Sequence, residues 1–557
     1  MQVHPYAFFG NSNIKDVQLG FSGNIGNYAF SGCKGITNVV ANNEGYIGNY
    51  AFYQCTSITN VAANNKGYIG NYAFSGCNGI TNVVANNEGS IGNYAFSGCT
   101  GITNVVANNE GYIGNYAFSG CNGMQTLEIG NAVTDVNQYA FSDCSALESA
   151  TIGNKGILGD YAFKNCTSLQ TATIGEQVTS IGNYTFSGCS KLQSIIVPDA
   201  VTSIESYAFS GCSSMTETKI GNGVKTIGQY AFYNCSVLPL IKIPKAVTTI
   251  NNYVFSGCNG LKTVIMDDDD DEGEEAELQL GSNGSNPLFS DCPLDSVYIG
   301  RNITYSTSSS YGYSPFYRNT SLRAVTTDKE TEISANEFYG CTNLKKVSIG
   351  ESVTTIGNYA FSGCSSLDVF SFGSKVSSIG QEAFSDCTAM TKLISRATTP
   401  PTCGSQALDD INKWTCELTV PEGTLSAYQA ADQWKDFFFV NEQNEEGGED
   451  PVIPEDKKCA TPTIIYANGK VSFACETEGV EFVPSAVTVG STTYENGEMS
   501  LPSTYRISVY AKKVGYLDSD TAIKEVTVTG GLTGDVNQDG VVTITDAVSV
   551  INIIQGQ

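Results

Sequence analysis

Twelve residues near the C-terminal end hold the most definite chemistry in this 557-residue chain: D-V-N-Q-D-G-V-V-T-I-T-D, from Asp535 to Asp546. Asp535, Asn537 and Asp539 take loop positions 1, 3 and 5, and Gly540 makes the turn at 6. Val541 offers its backbone carbonyl at 7, Thr543 falls at 9, and Asp546 closes the loop at 12. A hard Ca2+ ion takes about six to eight oxygens, and this spacing wraps them around one ion. Ca2+ is therefore the expected cofactor. An apolar helix, Ala547 to Ile554, is predicted to follow.

Other chemistry is scarce. The chain has one histidine, His4. That removes Ser-His-Asp, Cys-His and His-ligated metal chemistry almost entirely. Paired carboxylates could hydrolyse glycosides. No unique pair stands outside one run, Asp267 to Glu277, with nine acids in eleven positions. Such a run reads as a solvated loop. Loose Ca2+ association is the alternative, without the ligand spacing of a defined site. Glycines fall at recurring I-G corners rather than before a phosphate-binding helix, so no nucleotide site is indicated. No enzyme is expected.

Charge sets further limits. The formal net charge of −27 argues against nucleic acid, which wants clustered Lys and Arg. It argues equally against polybasic docking on anionic membranes. No apolar run approaches the roughly 20 residues that span a bilayer. No signal peptide is visible. Tyr6-Ala7-Phe8 already matches the repeat described next, so the sequence is expected to begin downstream of the natural start.

What positions everything else is one recurring stretch, plainest at Ile91 to Ala107: I-G-N-Y-A-F-S-G-C-T-G-I-T-N-V-V-A. Its phenylalanine recurs seventeen times: Phe8, Phe30, Phe52, Phe74, Phe96, Phe118, Phe141, Phe163, Phe186, Phe209, Phe232, Phe255, Phe289, Phe316, Phe338, Phe361 and Phe384. The interval is 22 or 23 residues except for two stretched ones, after Phe255 and Phe289. A fixed period of this length signals a solenoid. The half around L-x-x-V-x-I suits a short strand, with Ile195 and Val197, or Val347 and Ile349, turned inward. The half around Y-A-F-x-x-C suits one helical or 3₁₀ turn. Glycine or asparagine stands at the corners, where bends need positive φ. One repeat cannot fold alone. Ordering its backbone costs roughly 1–2 kcal/mol per residue, while burying its one Phe returns about 1.5–3 kcal/mol. Stability must be shared along the stack.

The pattern C-x-x-L-x-x-V-x-I, preceded by I-G-x-Y-A-F, resembles the BspA-like class of leucine-rich repeats over residues 1–395. The resemblance implies an α/β, right-handed solenoid of short strands and short helical turns. It also implies an exported or cell-surface bacterial protein, in a family with many proposed adhesins.

Nineteen cysteines look like a disulfide scaffold, but fifteen hold one repeat position, from Cys33 to Cys387. They are expected as an inward ladder of free thiols about 4.8 Å apart. Asn11 and Asn319 stand in for them in two repeats, so a small group that bonds to the turn suffices. Cys-x-x-Cys is absent, which argues against a metal site in the ladder. Cys403 with Cys416, and Cys459 with Cys475, flank short loops and are each expected to form a disulfide. Asn49, Asn71, Asn93 and Asn115 recur beside Tyr50, Tyr72, Tyr94 and Tyr116. Their ladders could form a binding surface. The favoured reading is that Tyr packs and Asn satisfies turn backbone.

The remaining segments follow in order. The acidic run at 267–277 interrupts the repeats, and a second bulge, Tyr305 to Ser314, is rich in Ser and Tyr. Insertions in repeats often carry binding, so both bulges are candidates for specificity. Residues 396–440 leave the period and are expected to cap the solenoid with Trp414, Tyr428, Trp434 and Phe437. Their V-P-x-G-x-x-x-x-Y-x-x-A-x-x-W-x-x-F pattern resembles the segment that closes this family's arrays. Residues 441–457 form an acidic linker. Residues 458–530 read as a small antiparallel β domain, with Asn468-Gly469 as a hairpin turn. It resembles immunoglobulin- or fibronectin-like sandwich modules. Residues 533–557 resemble half of a type I dockerin, an EF-hand-like loop and helix with Asp rather than Glu at position 12. In that resemblance Ile544 and Thr545 sit where dockerins contact cohesins. The second loop is expected to be lost by truncation.

These features converge on a non-catalytic, extracellular or cell-surface protein that binds a host or matrix protein or glycan through its repeats. The alternative is a cohesin-recruited scaffold component in which the solenoid is a spacer. A third, purely structural role in a surface layer would show as self-assembly.

Overall fold

The computed structural model describes residues 2–443, apart from short segments at 20–22, 42–43, 64–65, 267–276, 282–286 and 306–313. Between 457 and 527 it describes the strands set out below, with residues 461–462 and 475. Met1–Pro451 and Val452–Gln557 are separate compact units.

In the first unit every repeat contributes one strand to a parallel ladder. A ten-stranded sheet runs from Asp16–Leu19 to Glu217–Lys219, and a nine-stranded sheet from Leu240–Ile243 to Phe439–Gln443. Register is strict: Asn82 faces Asn104, which faces Thr126, and each neighbour follows in step. The strands form because alternate positions are apolar. In Asn104–Ala107, Val105 and Ala107 are buried while Asn104 is exposed. Ile195, Val197, Val347 and Ile349 are buried, as their spacing predicts.

A second parallel ladder forms at the I-G corner, where no strand was expected. It begins as single bridges, Val3 to Ile25 and onward to Leu158. It continues as a seven-stranded sheet from Ile157–Leu158 to Ile303–Tyr305, then a four-stranded one from Glu332–Ile333 to Thr402–Cys403.

The Y-A-F-x-x-C half is not an α-helix; of the helical or 3₁₀ turn expected, its local bonds keep the three-residue spacing of the second. Its amides alternate between two destinations. Ala51, Tyr53 and Cys55 donate three residues back within the coil, to Gly48, Tyr50 and Phe52. Tyr50, Phe52 and Gln54 donate to Asn71, Ala73 and Ser75 of the next coil. A helix would close every bond within itself. Here half of them tie coils together, so the turn serves as a third seam. The one α-helix among the described residues is Leu425–Ala430. The solenoid is therefore a stack of parallel β-strands and turns.

The glycine or asparagine expected at positive φ accounts for only one of two bends in each coil. Tyrosine, not glycine or asparagine, holds the left-handed backbone two residues before the phenylalanine, with φ from 56 to 62° between Tyr6 and Tyr253. A second left-handed position follows the phenylalanine by two, as at Gly98 with φ 70°. The tyrosine conformation costs roughly 1–2 kcal/mol per residue. It is offset by the amide bond to the next coil and by ring stacking worth about 0.5–1.5 kcal/mol per pair.

Seventeen phenylalanines line up in one unbroken file, with neighbouring ring centroids 4.9–6.0 Å apart. The stretched intervals leave it intact: Phe255 to Phe289 is 5.4 Å and Phe289 to Phe316 is 5.3 Å. The core therefore passes both stretched intervals undisturbed.

The cap adds two strands to the main sheet, Glu417–Pro421 and Phe439–Gln443, joined through the helix Leu425–Ala430. The last strand runs beyond the expected linker boundary at 441. Tyr428, Trp434 and Phe437 are buried over the final coil. The Trp434 indole donates to the Pro401 carbonyl, 2.9 Å away. Trp414 departs from expectation. It is 72% exposed and lies against Phe438, which is itself exposed.

In the second unit Thr463–Ala467 pairs antiparallel with Lys470–Ala474, the hairpin that Asn468-Gly469 predicts. Glu481–Thr488, Thr504–Lys512 and Ala522–Thr527 form a three-stranded antiparallel sheet. Thr493–Glu495 pairs with Glu498–Ser500, and Lys457–Lys458 lies parallel to Tyr516–Leu517. The expected calcium loop, Asp535 to Asp546, and the helix expected after it lie outside the described residues.

Candidate binding surface

None of the sequence-predicted calcium ligands, Asp535, Asn537, Asp539, Val541, Thr543 and Asp546, falls among the described residues. The solenoid presents the larger part of the described surface.

Its tyrosines form a second file, twelve rings from Tyr6 to Tyr253 with centroids 4.4–4.9 Å apart. Parallel stacking occupies the ring faces. Inside the file only edges and hydroxyls are left for a partner. Burial, then the neighbouring phenols Tyr72 and Tyr53, raise the Tyr50 pKa above its ordinary value. The asparagines beside them act as expected. Asn49 Oδ1 accepts the Asn71 amide at 2.8 Å, and Asn71 Oδ1 accepts that of Asn93 at 2.8 Å. These two ladders are scaffold first and surface second.

The strand face from Asn38 to Ala107 is uncharged. Asn104 donates to Asn82 at 3.0 Å, and the Thr103 hydroxyl donates to the Thr81 carbonyl at 3.0 Å. Such bonds fix the outward side chains in rows.

One depression interrupts the flank on the I-G side. It has a volume of about 520 Å3 and is lined by Asn137, Gln138, Ile157, Asp160, Ser180 and Glu205, among others. Ile157 is 44% exposed and supplies an apolar patch. Asp160 is held by the Asn183 amide at 2.7 Å, and Glu205 by the Ser203 hydroxyl at 2.8 Å. The coil between Phe141 and Phe163 has 22 residues and lies between coils of 23. That change of period, with the odd N-K-G-I-L-G-D at Asn154 to Asp160, was the signal in the sequence for this place. A second depression, about 450 Å3, is lined by Lys262, Asp295 and Arg323.

The cysteine ladder is buried and its thiols are free. Each thiol donates to the phenylalanine carbonyl one coil back, as Cys77 does to Phe52 at 3.1 Å. Asn319 does the same work from its amide, to Phe289 and Cys292. Cys403 and Cys416 are also free, which overturns the disulfide expected between them. Cys403 ends the second ladder and Cys416 precedes a strand of the main sheet, so the two belong to different seams. The expected partner of Cys475, Cys459, lies outside the described residues. No group of three or more His, Cys, Asp or Glu able to hold a metal occurs among the described residues. No described helix is long and apolar enough to cross a membrane.

Parallel coils, a repeating L-x-x-V-x-I strand and inward cysteines define a leucine-rich-repeat solenoid. The family model "BspA type Leucine rich repeat region (6 copies)" matches residues 1–110, 67–158, 156–272 and 309–413, more than half of the chain. The chain belongs to that family. Similar solved structures include a leucine-rich repeat protein from Bacteroides ovatus, 21% identical, covering 73% of this chain and 88% of that one, with a TM-score of 0.39. A leucine rich cell surface protein from Faecalibacterium prausnitzii is 20% identical over 67% of this chain and 82% of its own, with a TM-score of 0.22. The pneumococcal vaccine antigen PcpA is 13% identical over 70% and 85%, with a TM-score of 0.23. No curated protein matches the chain.

Proposed function

We propose that this is a non-catalytic, exported or cell-surface protein that binds a protein or glycan along the flank of its solenoid. One observation carries this reading most directly. The tightly registered flank holds a polar depression with one exposed apolar side chain, Ile157, among amides and carboxylates. That mixture suits a sugar or a peptide segment, which offers hydroxyls or amides beside apolar faces. The β module at 458–530 serves as a spacer, and the loop at 535–546 binds Ca2+. The test is an array of matrix proteins and glycans, probed with the purified full chain and with Ile157→Ala/Glu205→Ala. Binding that the variant loses supports the reading. Uniform absence of binding by the wild type counts against it.

A second reading rests on the Asp535 to Asp546 spacing and the resemblance to a dockerin, which implies that Ile544 and Thr545 meet a cohesin. There the solenoid is a spacer in a larger complex. Capture by an immobilised cohesin, lost on Asp535→Ala yet indifferent to deletion of one coil, would favour it over the first.

A further inference from the structure

Two successive coils put ionisable groups where the coils that follow have hydrocarbon. Glu332 and Ile333 pair with Thr355 and Ile356, so the same register sets Glu337 against Ala360 and Glu330 against Val353. Ala360 and Val353 are wholly buried core residues, and Glu337 and Glu330 are 0% and 1% exposed. One coil earlier, Tyr305 stands in the column of Ile250 and Leu280. Both carboxyl oxygens of Glu330 and Oε1 of Glu337 have no hydrogen-bond partner.

The second ladder breaks at this place. One sheet ends with Ile303–Tyr305 and the next begins with Glu332–Ile333, while the main sheet runs on from Ser296–Ile299 to Ala324–Thr327. One coil on, the Gly357 amide donates to the Ile333 carbonyl, the ordinary link between coils. Its counterpart, the Ser334 amide, donates instead to Glu337 Oε2 at 2.7 Å within its own coil. Side chains bridge the gap: Asn302 Oδ1 accepts the Thr331 amide, and the Tyr305 hydroxyl donates to the Ala335 carbonyl.

The groups facing the pair are the Tyr305 phenol, Glu332 and the two carboxyls themselves. Arg301, buried one coil earlier, directs its guanidinium to the carbonyls of Pro244, Lys245 and Val247. An ionised carboxylate without a counter-charge is costly in such a place, and two are costlier. Burial raises the Glu337 carboxyl to about 8. Burial, then the charge of Glu337, pushes Glu330 well above the carboxylate range.

We propose that this coil boundary is a proton-operated joint. With Glu330 and Glu337 protonated, the coil from Thr327 to Phe338 seats on the one before it. Mildly alkaline solution takes the Glu337 proton into water and unseats the coil on the side of the broken ladder. The main sheet and the phenylalanine file keep the solenoid in one piece, so the change is local.

Amide hydrogen exchange of the full chain at about pH 5 and pH 9, corrected for the intrinsic rate, tests this. Peptides covering 327–338 should lose at least about tenfold in protection at the higher pH, the equivalent of one linked pKa unit. Peptides covering 95–118 should not change. Glu330→Gln/Glu337→Gln, which mimics the protonated pair, should abolish the difference. A flat response in the wild type, or an unchanged one in the variant, overturns the proposal. Should the variant fail to fold, infrared spectra of the wild type decide. A protonated-carboxyl band that persists at neutral pH and fades towards pH 9 supports the joint, and its absence at neutral pH refutes it.

Discussion

The thiol of Cys55 donates to the backbone carbonyl of Phe30, 3.0 Å away and one coil back. Every ladder thiol is therefore a donor to the turn before it rather than half of a missing disulfide. Burial raises Cys55 to about 12, so the reactive thiolate is essentially absent at neutral pH. Iodoacetamide at about pH 8, followed by mass spectrometry, should leave the fifteen ladder cysteines unmodified until the chain is unfolded. Cys121→Ala should cost about 1–2 kcal/mol, combining a lost hydrogen bond and a small cavity. Modification of ladder thiols in the native protein would contradict this account.

The stacked tyrosines give a second prediction. Tyr94 holds φ at 58°, and a β-branched residue fits that backbone poorly. Tyr94→Val should lower stability by about 2–3 kcal/mol, from strain and lost stacking together. Tyr94→Asn should lose little beyond the stacking, because Asn336 already holds this position with φ at 60°. The separation between the two urea midpoints reads the strain directly. Equal midpoints would mean the backbone there is not strained.

The two tryptophans should behave in opposite ways. Trp434→Ala removes a buried ring and its bond to Pro401, and should cost about 3–5 kcal/mol. Trp414→Ala should lie within about 0.5 kcal/mol of the wild type. Iodide quenching of fluorescence should act on Trp414 and spare Trp434. The reverse pattern would refute the cap as described.

A fourth prediction concerns pH. The Glu337 value of about 8 lies above that of an exposed glutamate, about 4.3. Between these values the unfolded chain releases a proton that the folded chain keeps, so stability falls as pH rises. The contribution is whole below about pH 4.3 and lost once pH passes about 8. Glu330→Val, the residue of the next coil, should stabilise the protein by about 1–3 kcal/mol near pH 8. The gain should shrink towards zero near pH 4. Thermal melts across this range measure it, and a gain independent of pH would exclude ionisation as the cause.

The calcium loop gives the last. Titration calorimetry of the full chain should show one Ca2+ site, removed by Asp535→Ala/Asp539→Ala. An undiminished site in that variant would place Ca2+ elsewhere, with the acidic run at 267–277 next in line.

Much of this fold was legible in the sequence because its repeat is strict. The interval between phenylalanines set the stack, and Cys33 to Cys387 marked an inward column. The turn half was harder to read. Tyr-Ala-Phe suits a helical turn by local propensity, but inter-coil amide bonds, which no single repeat reveals, hold it open. Tyrosine at positive φ contradicts the usual preference and becomes tolerable only once its neighbours stack on it. Trp414 was assigned to the cap because both tryptophans fall in it, and composition alone does not separate a buried ring from an exposed one. Glu337 was visible as Asn-Glu-Phe in place of Tyr-Ala-Phe, yet its meaning needed the register that buries it. The flank depression depended on a one-residue change in period, which a consensus averages away.

Among the near-identical early copies, the amides that reach from one coil to the next find the same atom, one period away. Excising a whole unit among the near-identical early copies would rejoin the chain with each donor meeting an equivalent acceptor, and inserting one would do likewise. The number of units is then free to drift as a gene lengthens or shortens by slippage, while the two irregular coils, whose contacts have no duplicate, stay fixed as landmarks.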